Sequence, residues 1–199
     1  MKKLAISLLV LAGSTLSTGC ASMQTWPVFS SVCGSMQTWP DAERSAENKM
    51  VVILDKIGEG ESSGALSPDL SRMYLTKLKG ILTDYELLRN KDVFWEEWNS
   101  LHARLDLLEA EINRKVAGTA RIGEPSNGDR ITALQRRIDD GRICGRLSAE
   151  DEQAFQTRLD SIRGDYLLTI DELRAPTSEE RTVTACLLDT LETEMNRVR

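Results

Sequence analysis

The chain has 199 residues and a formal net charge of −6, with 31 acidic side chains against 25 lysines and arginines. Nucleic-acid binding needs clustered lysines and arginines that neutralise phosphates, so this acidic balance predicts no nucleic-acid partner. Aromatic residues are only 5% of the chain, and the remainder is rich in Leu, Glu, Arg and Asp with helical periodicity. This composition predicts an all-α fold.

The first nineteen residues have the three parts of a secretory signal. Residues 1–3 are basic at Lys2 and Lys3, residues 4–13 are apolar, and small residues lead to Gly19. The apolar run is much shorter than the roughly 20 residues that span a bilayer. Because Cys20 follows directly, the segment resembles a bacterial lipoprotein signal peptide with its lipobox, although Ser17 stands where that family most often has Leu.

This resemblance implies that residues 1–19 are removed and that Cys20 carries the lipid, palmitate included, as the membrane anchor. Ala21 after the cysteine, rather than Asp, implies the periplasmic face of the outer membrane rather than the inner membrane. Cleavage removes Lys2 and Lys3 and no acid, so the net charge moves from −6 to −8. This acidic charge argues against a basic patch that would hold the mature chain on anionic lipid.

Residues 20–41 form a predicted flexible arm that contains a short duplication. Residues 20–27 and 33–40 are identical at seven of eight positions, and each copy ends in Met-Gln-Thr-Trp-Pro. The prolines favour an extended backbone at Trp26 and Trp39. These tryptophans are candidate contacts for a partner or for the lipid interface. The alternative is a tandem duplication of a linker, which also copied Cys33.

A second, larger repeat covers the rest of the chain. An offset of 81 residues superposes the apolar and turn positions of residues 50–85 on residues 131–166. An offset of 83 aligns residues 105–114 with residues 188–197 at seven of ten identities. The pattern predicts two tandem units of roughly 65 residues, within residues 42–117 and 129–199, joined by a linker at 118–128. Whether they share one core is open.

Each unit is predicted to contain three helices packed as an antiparallel bundle. The first helix covers residues 42–58 or 129–142 and precedes a glycine-bearing turn. Ser67, Ser148 and Thr177 are expected N-caps, the last in a capping box with Glu180. The later helices carry apolar stripes at spacings of three and four: Tyr74, Leu78, Ile81, Tyr85 and Leu88; Trp98, Leu101, Leu105, Leu108 and Ile112; Phe155, Leu159, Ile162, Tyr166 and Ile170; Leu188, Leu191, Met195 and Val198.

The turn at residues 140–151 resembles an EF-hand calcium loop, with acids first and twelfth and glycine sixth. However, Arg142 and Cys144 occupy the third and fifth positions, which should donate oxygen ligands. The matching turn of the first unit ends on Leu70, which cannot bind calcium. We therefore expect a helix-turn-helix without a metal site, and an ion-sensing loop is the alternative.

Two cysteines, Cys144 and Cys186, belong to the second unit, where the first unit has Ser63 and Ala103. Their joint absence from the first unit is typical of a disulfide pair. Cys186 lies about 18 Å along the last helix from the turn that holds Cys144. A disulfide tolerates a Cα separation of about 7 Å, so the geometry favours free thiols over a bond.

Trp95 and Trp98 concentrate aromatic area at the start of the third helix, either as core or as contacts for a partner. His102 is the only histidine, so a Ser–His or His–metal arrangement would depend on this residue alone. We expect no enzyme, no cofactor and no metal.

Together these features predict a membrane-anchored periplasmic lipoprotein that acts as a non-enzymatic interaction, scaffold or assembly factor. Its helical grooves would hold a partner's amphipathic segment, or its helices would pair between chains. Two alternatives remain: an ion- or ligand-sensing lipoprotein with degenerate EF-hand-like turns, and an envelope hydrolase.

Overall fold

The computed structural model describes residues 39–91, 95–117 and 125–198, with only the backbone for residues 39 and 40. This part contains six helices and no strand, which confirms the predicted all-α fold. The helices are α1 (Trp39–Ser62), α2 (Pro68–Arg89), α3 (Trp95–Val116), α4 (Asn127–Ile143), α5 (Ala149–Asp171) and α6 (Ser178–Arg197). The predicted signal peptide, Cys20, Trp26 and Cys33 lie outside the described residues.

Hydroxyl side chains cap the helices as the sequence predicts. Ser67, Ser148 and Thr177 each accept a hydrogen bond from the backbone N–H three residues later, and Glu180 completes the capping box. Ser126 caps α4 in the same way. Helix α4 therefore begins at Asn127, inside the segment predicted as linker.

Helix α1 is longer than predicted at both ends. It begins at Trp39, in the predicted arm, because Pro40 stands in the first turn, where its missing N–H costs no hydrogen bond. It also continues through Gly58 to Ser62, so the glycine-bearing turn is shorter than expected.

The turn after α1 and the turn after α4 have the same construction. A Cβ at Gly60 would lie 2.7 Å from the Leu66 side chain, and a Cβ at Gly141 would lie 2.6 Å from the Leu147 side chain. Both glycines are needed because the leucine folds back over the end of the helix.

The helices run alternately up and down, as their side-chain contacts show. Lys77 pairs with Glu111 and Asp84 pairs with Arg104, which makes α2 and α3 antiparallel. The first turn of α4 lies on the second half of α1, where a Cβ at Gly128 would come within 2.8 Å of the Val52 Cα.

All six helices contribute to one hydrophobic core. The predicted stripes are buried, except that Leu88 is partly buried and Val198 is 37% exposed. Helix α1 contacts α4 and α5 as well as α2 and α3, and α2 also contacts α5. The two predicted units therefore share a core, the question that the sequence left open.

Candidate functional site

A groove of about 380 Å³ lies between α5 and the first half of α6. Its apolar lining includes Ile162 and Tyr166 from α5, Pro176 from the connecting segment, and Val183 and Leu187 from α6. Val183 is 56% exposed and Leu187 is 44% exposed, one helical turn apart. This places an apolar strip next to a concave surface.

The groove exists because the start of α6 lacks the bulky apolar side chains of α3. Under the 83-residue offset, Trp98 and Leu101 correspond to Arg181 and Thr184. Trp98 and Leu101 are almost fully buried, whereas the buried residues of α6 begin only at Leu188. The first half of α6 therefore lies against α5 without filling the space between them.

The rim of the groove is acidic. Asp165, Glu179 and Glu180 line it, and no lysine or arginine does. Glu180 is already neutralised, since the Arg174 guanidinium donates hydrogen bonds of 2.6 and 2.7 Å to its carboxylate. These bonds and the backbone N–H of Thr177 lower the pKa of Glu180 to about 2. Within the part of the chain that the structure describes, Asp165 and Glu179 have no hydrogen bond or ion pair.

The corresponding surface of the first unit is closed by a salt bridge. Asp84 of α2 accepts a hydrogen bond of 2.5 Å from the Arg104 guanidinium of α3. The two offsets align Asp84 with Asp165 and Arg104 with Leu187. At the aligned positions the second unit therefore has the same carboxylate, but an exposed leucine where the first unit has the arginine.

A second, polar cleft of about 500 Å³ lies between α1 and α4. Beside it lies Arg163, which is fully buried. Its guanidinium donates hydrogen bonds of 2.6 to 3.1 Å to four side-chain oxygens: Glu47 Oε2, Asn48 Oδ1, Gln135 Oε1 and Asp160 Oδ1. Because every partner lies on α1, α4 or α5, this network joins three helices.

Asp55 forms a second buried polar junction between the two halves of the chain. Its carboxylate accepts hydrogen bonds from the Gly128 backbone N–H, at 2.6 Å, and from the Tyr166 hydroxyl. Gly128 stands in the first turn of α4, where the helix dipole favours a negative charge. Burial nevertheless raises the pKa of Asp55 and is the largest cause of its shift.

The two tryptophans of α3 differ in their surroundings. Trp98 is buried and packs edge-on against Tyr85, with ring centroids 6.0 Å apart. Its ring is therefore part of the core and offers no surface to a partner in this fold. Trp95 is 45% exposed and remains a candidate contact. Trp39 is the first residue of α1, and its side chain is not described.

The other predicted site residues are dispersed. Cys144 and Cys186 are both exposed free thiols, so the structure contains no bond between them. Asp140 belongs to α4, and the Asp151 carboxylate accepts a hydrogen bond from the Ser148 hydroxyl at the start of α5. His102 is partly buried, and this burial lowers its pKa.

Sequence reasoning missed the α5–α6 groove and both buried polar junctions. The signal was present in the offsets: Arg163 aligns with Leu82, and Leu187 aligns with Arg104. A charged residue at a core position and an apolar residue at a surface position mark the places where the second unit differs from the first.

Comparison of the chain with known protein families, with characterised proteins and with solved structures finds no match in any of the three. Among the described residues, no helix has the length and apolar character needed to cross a membrane. In the same part of the chain, no three His, Cys, Asp or Glu side chains are grouped so that they could hold a metal ion.

Proposed function

We propose that the protein is a lipid-anchored, non-enzymatic interaction protein of the bacterial envelope, which docks a helix of a partner protein in the α5–α6 groove. Cys20 would carry the lipid at the periplasmic face of the outer membrane, with the arm between anchor and bundle. The observation that carries the docking proposal is the exposed pair Val183 and Leu187 beside a groove of about 380 Å³.

The occupant proposed is a helix because the apolar strip has helical spacing. Val183 and Leu187 are four residues apart on one face of α6, and Thr169 and Tyr166 lie three apart on the facing side. An amphipathic helix lays residues of this spacing into such a groove. The acidic rim, which carries no basic side chain, favours a partner of opposite charge.

Site-specific photo-crosslinking in cells tests the docking surface. A photoreactive residue at position 187 should crosslink to one defined protein, and Val183→Glu should abolish that product because it places a charge in the apolar strip. The control is position 107, since Leu107 on α3 is 71% exposed and lies outside the groove. Identical products from positions 107 and 187, or none from 187, would refute the proposal.

The anchor is tested separately. A Cys20→Ser variant should accumulate as the unprocessed precursor, because cleavage of a lipoprotein signal follows lipidation of the cysteine. Release of a mature, lipid-free form from the unmodified chain would contradict the anchor and leave the groove proposal intact.

A further inference from the structure

The α5–α6 groove has a leucine at the position where the aligned surface of the first unit has the cation Arg104. Asp84 and Arg104 form a salt bridge of 2.5 Å across α2 and α3, with about half of each side chain exposed. At the aligned positions, Asp165 has no basic partner in the described residues, and Leu187 exposes 44% of its surface.

We propose that the groove selects a partner helix that carries a lysine or arginine beside its apolar face. The cation pairs with the Asp165 carboxylate in the place that Arg104 occupies beside Asp84, while the apolar side chains cover Val183 and Leu187. This inference rests on the proposed function, because it names the chemistry of the segment that docks there.

Two carboxylates on the rim and the charge of the whole chain support a cationic occupant over a neutral one. Asp165 and Glu179 are both unpaired carboxylates within the described residues, so neither charge is compensated from inside the chain. Glu180 is not available, because Arg174 already forms two hydrogen bonds with it. The chain as a whole carries a net charge of −6, which accelerates encounters with a basic partner.

The test uses two synthetic amphipathic peptides, each about four helical turns long, with identical leucine faces. One peptide has lysines beside the leucines and the other has glutamates. Binding of each labelled peptide to the full-length chain is measured by fluorescence anisotropy at low and high salt. The lysine peptide should bind more tightly, and its advantage should shrink as salt screens the charges.

Two variants separate the charge from the apolar strip. Asp165→Asn should weaken the lysine peptide by about two- to fivefold, the range of an exposed ion pair, and should leave the glutamate peptide unchanged or tighter. The matched control is Asp84→Asn, whose carboxylate is already paired with Arg104. This control should leave both affinities unchanged.

The sharpest variant is Leu187→Arg, which recreates the pairing of the first unit. The new guanidinium should pair with the Asp165 carboxylate, and the substitution removes Leu187 from the apolar strip. We therefore expect binding of the lysine peptide to be lost, while the melting temperature of the protein stays the same or rises. A retained fold with lost binding would exclude unfolding as the cause.

The outcomes distinguish this inference from the proposed function. Equal binding of both peptides, abolished by Val183→Glu but unaffected by Asp165→Asn, would overturn the charge selection and keep the groove. Binding of neither peptide, together with no crosslink from position 187, would overturn the groove itself. Binding that survives Leu187→Arg would place the peptides elsewhere and refute both.

Discussion

The halves of the bundle place different chemistry at aligned positions of their interior. Under the 81-residue offset, three buried leucines of the first half align with three buried polar residues of the second: Leu54, Leu75 and Leu82 with Gln135, Gln156 and Arg163. The polar residues bond to one another, since Gln135 and Gln156 exchange reciprocal amide hydrogen bonds and Arg163 donates to Gln135.

This difference explains how the two halves are held in one arrangement. Leucines pack against any apolar surface of suitable shape, whereas Arg163 has all its partners only when Glu47 and Asn48 of α1 face it. An unpaired buried polar group is costly, so other arrangements of the halves are penalised. Both halves contribute buried apolar side chains, and the polar residues of the second half add selectivity between arrangements.

The largest loss of stability is expected from a substitution at Arg163, one of the three buried polar residues Gln135, Gln156 and Arg163. Arg163→Leu places the residue of the first half into the second and should cost about 3–5 kcal/mol of unfolding free energy. Asn48 loses its donor, and Gln135 and the Glu47 carboxylate each keep only one donor, from Gln156 and Tyr85 respectively. Urea denaturation followed by circular dichroism measures this loss.

The triple variant Gln135→Leu, Gln156→Leu and Arg163→Leu is the control. It gives the second half the leucine trio of the first and should recover part of the lost stability, because it also removes the buried amides of Gln135 and Gln156. Asn48 still lacks the Arg163 donor in this variant. A triple variant that is less stable than Arg163→Leu alone would contradict this account.

A smaller loss is expected at the contact between α1 and α4. Gly128→Ala should cost about 2–3 kcal/mol, because its Cβ would lie 2.8 Å from the Val52 Cα, and backbone cannot yield as a side chain does. At the aligned position, the first half has Glu47, whose side chain reaches Arg163.

Thermal denaturation of Gly128→Ala should be compared with that of Gly164→Ala. A Cβ at Gly164, inside α5, meets nothing within 4 Å. Alanine there should therefore stabilise the protein by about 0.5–1 kcal/mol. The same sign for both substitutions would show that the close approach to Val52 is not a constraint.

A loss of about 1 kcal/mol of unfolding free energy is expected from Thr177→Ala, which removes the N-cap of α6 beside the groove. Thermal denaturation measures this loss.

The Glu180 carboxylate of the capping box should also make the stability of the protein depend on pH. The pKa of Glu180 is about 2 in the folded protein against an ordinary 4.5, so its contribution is present above 4.5 and is lost as the pH falls towards 2. Denaturation of the unmodified chain and of Glu180→Gln across this range should show the two stabilities converging in acid.

The smallest effect on the unfolding free energy at neutral pH is expected for Asp55→Asn. The contribution of Asp55 changes with pH in the opposite direction to that of Glu180. Burial raises the pKa of the Asp55 carboxyl above its ordinary value of 3.8. The contribution of Asp55 to the unfolding free energy is therefore complete below pH 3.8 and decreases as the pH rises through the pKa of the folded state. The stability advantage of the unmodified chain over Asp55→Asn should therefore narrow from acid to neutral pH. An advantage that widens instead would mean that the Gly128 N–H and Tyr166 hydroxyl outweigh burial.

Local signals were sufficient for the existence of the helices and for the N-termini of α2, α5 and α6. The spacing of Tyr74, Leu78 and Ile81 predicted a buried stripe, and each residue is buried. The capping box of Thr177 and Glu180 formed as expected. These features depend on residues within one or two turns of each other, where spacing and hydrogen-bonding capacity can be read directly. Helix α1 was predicted too short because Pro40 is equally compatible with an arm and with a first helical turn.

The all-helical fold, the starts of α2, α5 and α6, and the buried stripes of α2, α3, α5 and α6 could be predicted from the sequence alone, because local periodicity and caps specify them. The contacts of Asp55 with α4 and of Arg163 with α1, and the position of Asp165 beside exposed Leu187, could be established only from the packed bundle. Residues more than 70 positions apart make the first two contacts, and no local pattern specifies which helix faces which. The groove likewise depends on volume that is left unfilled between two helices, and such volume is a property of the packed whole.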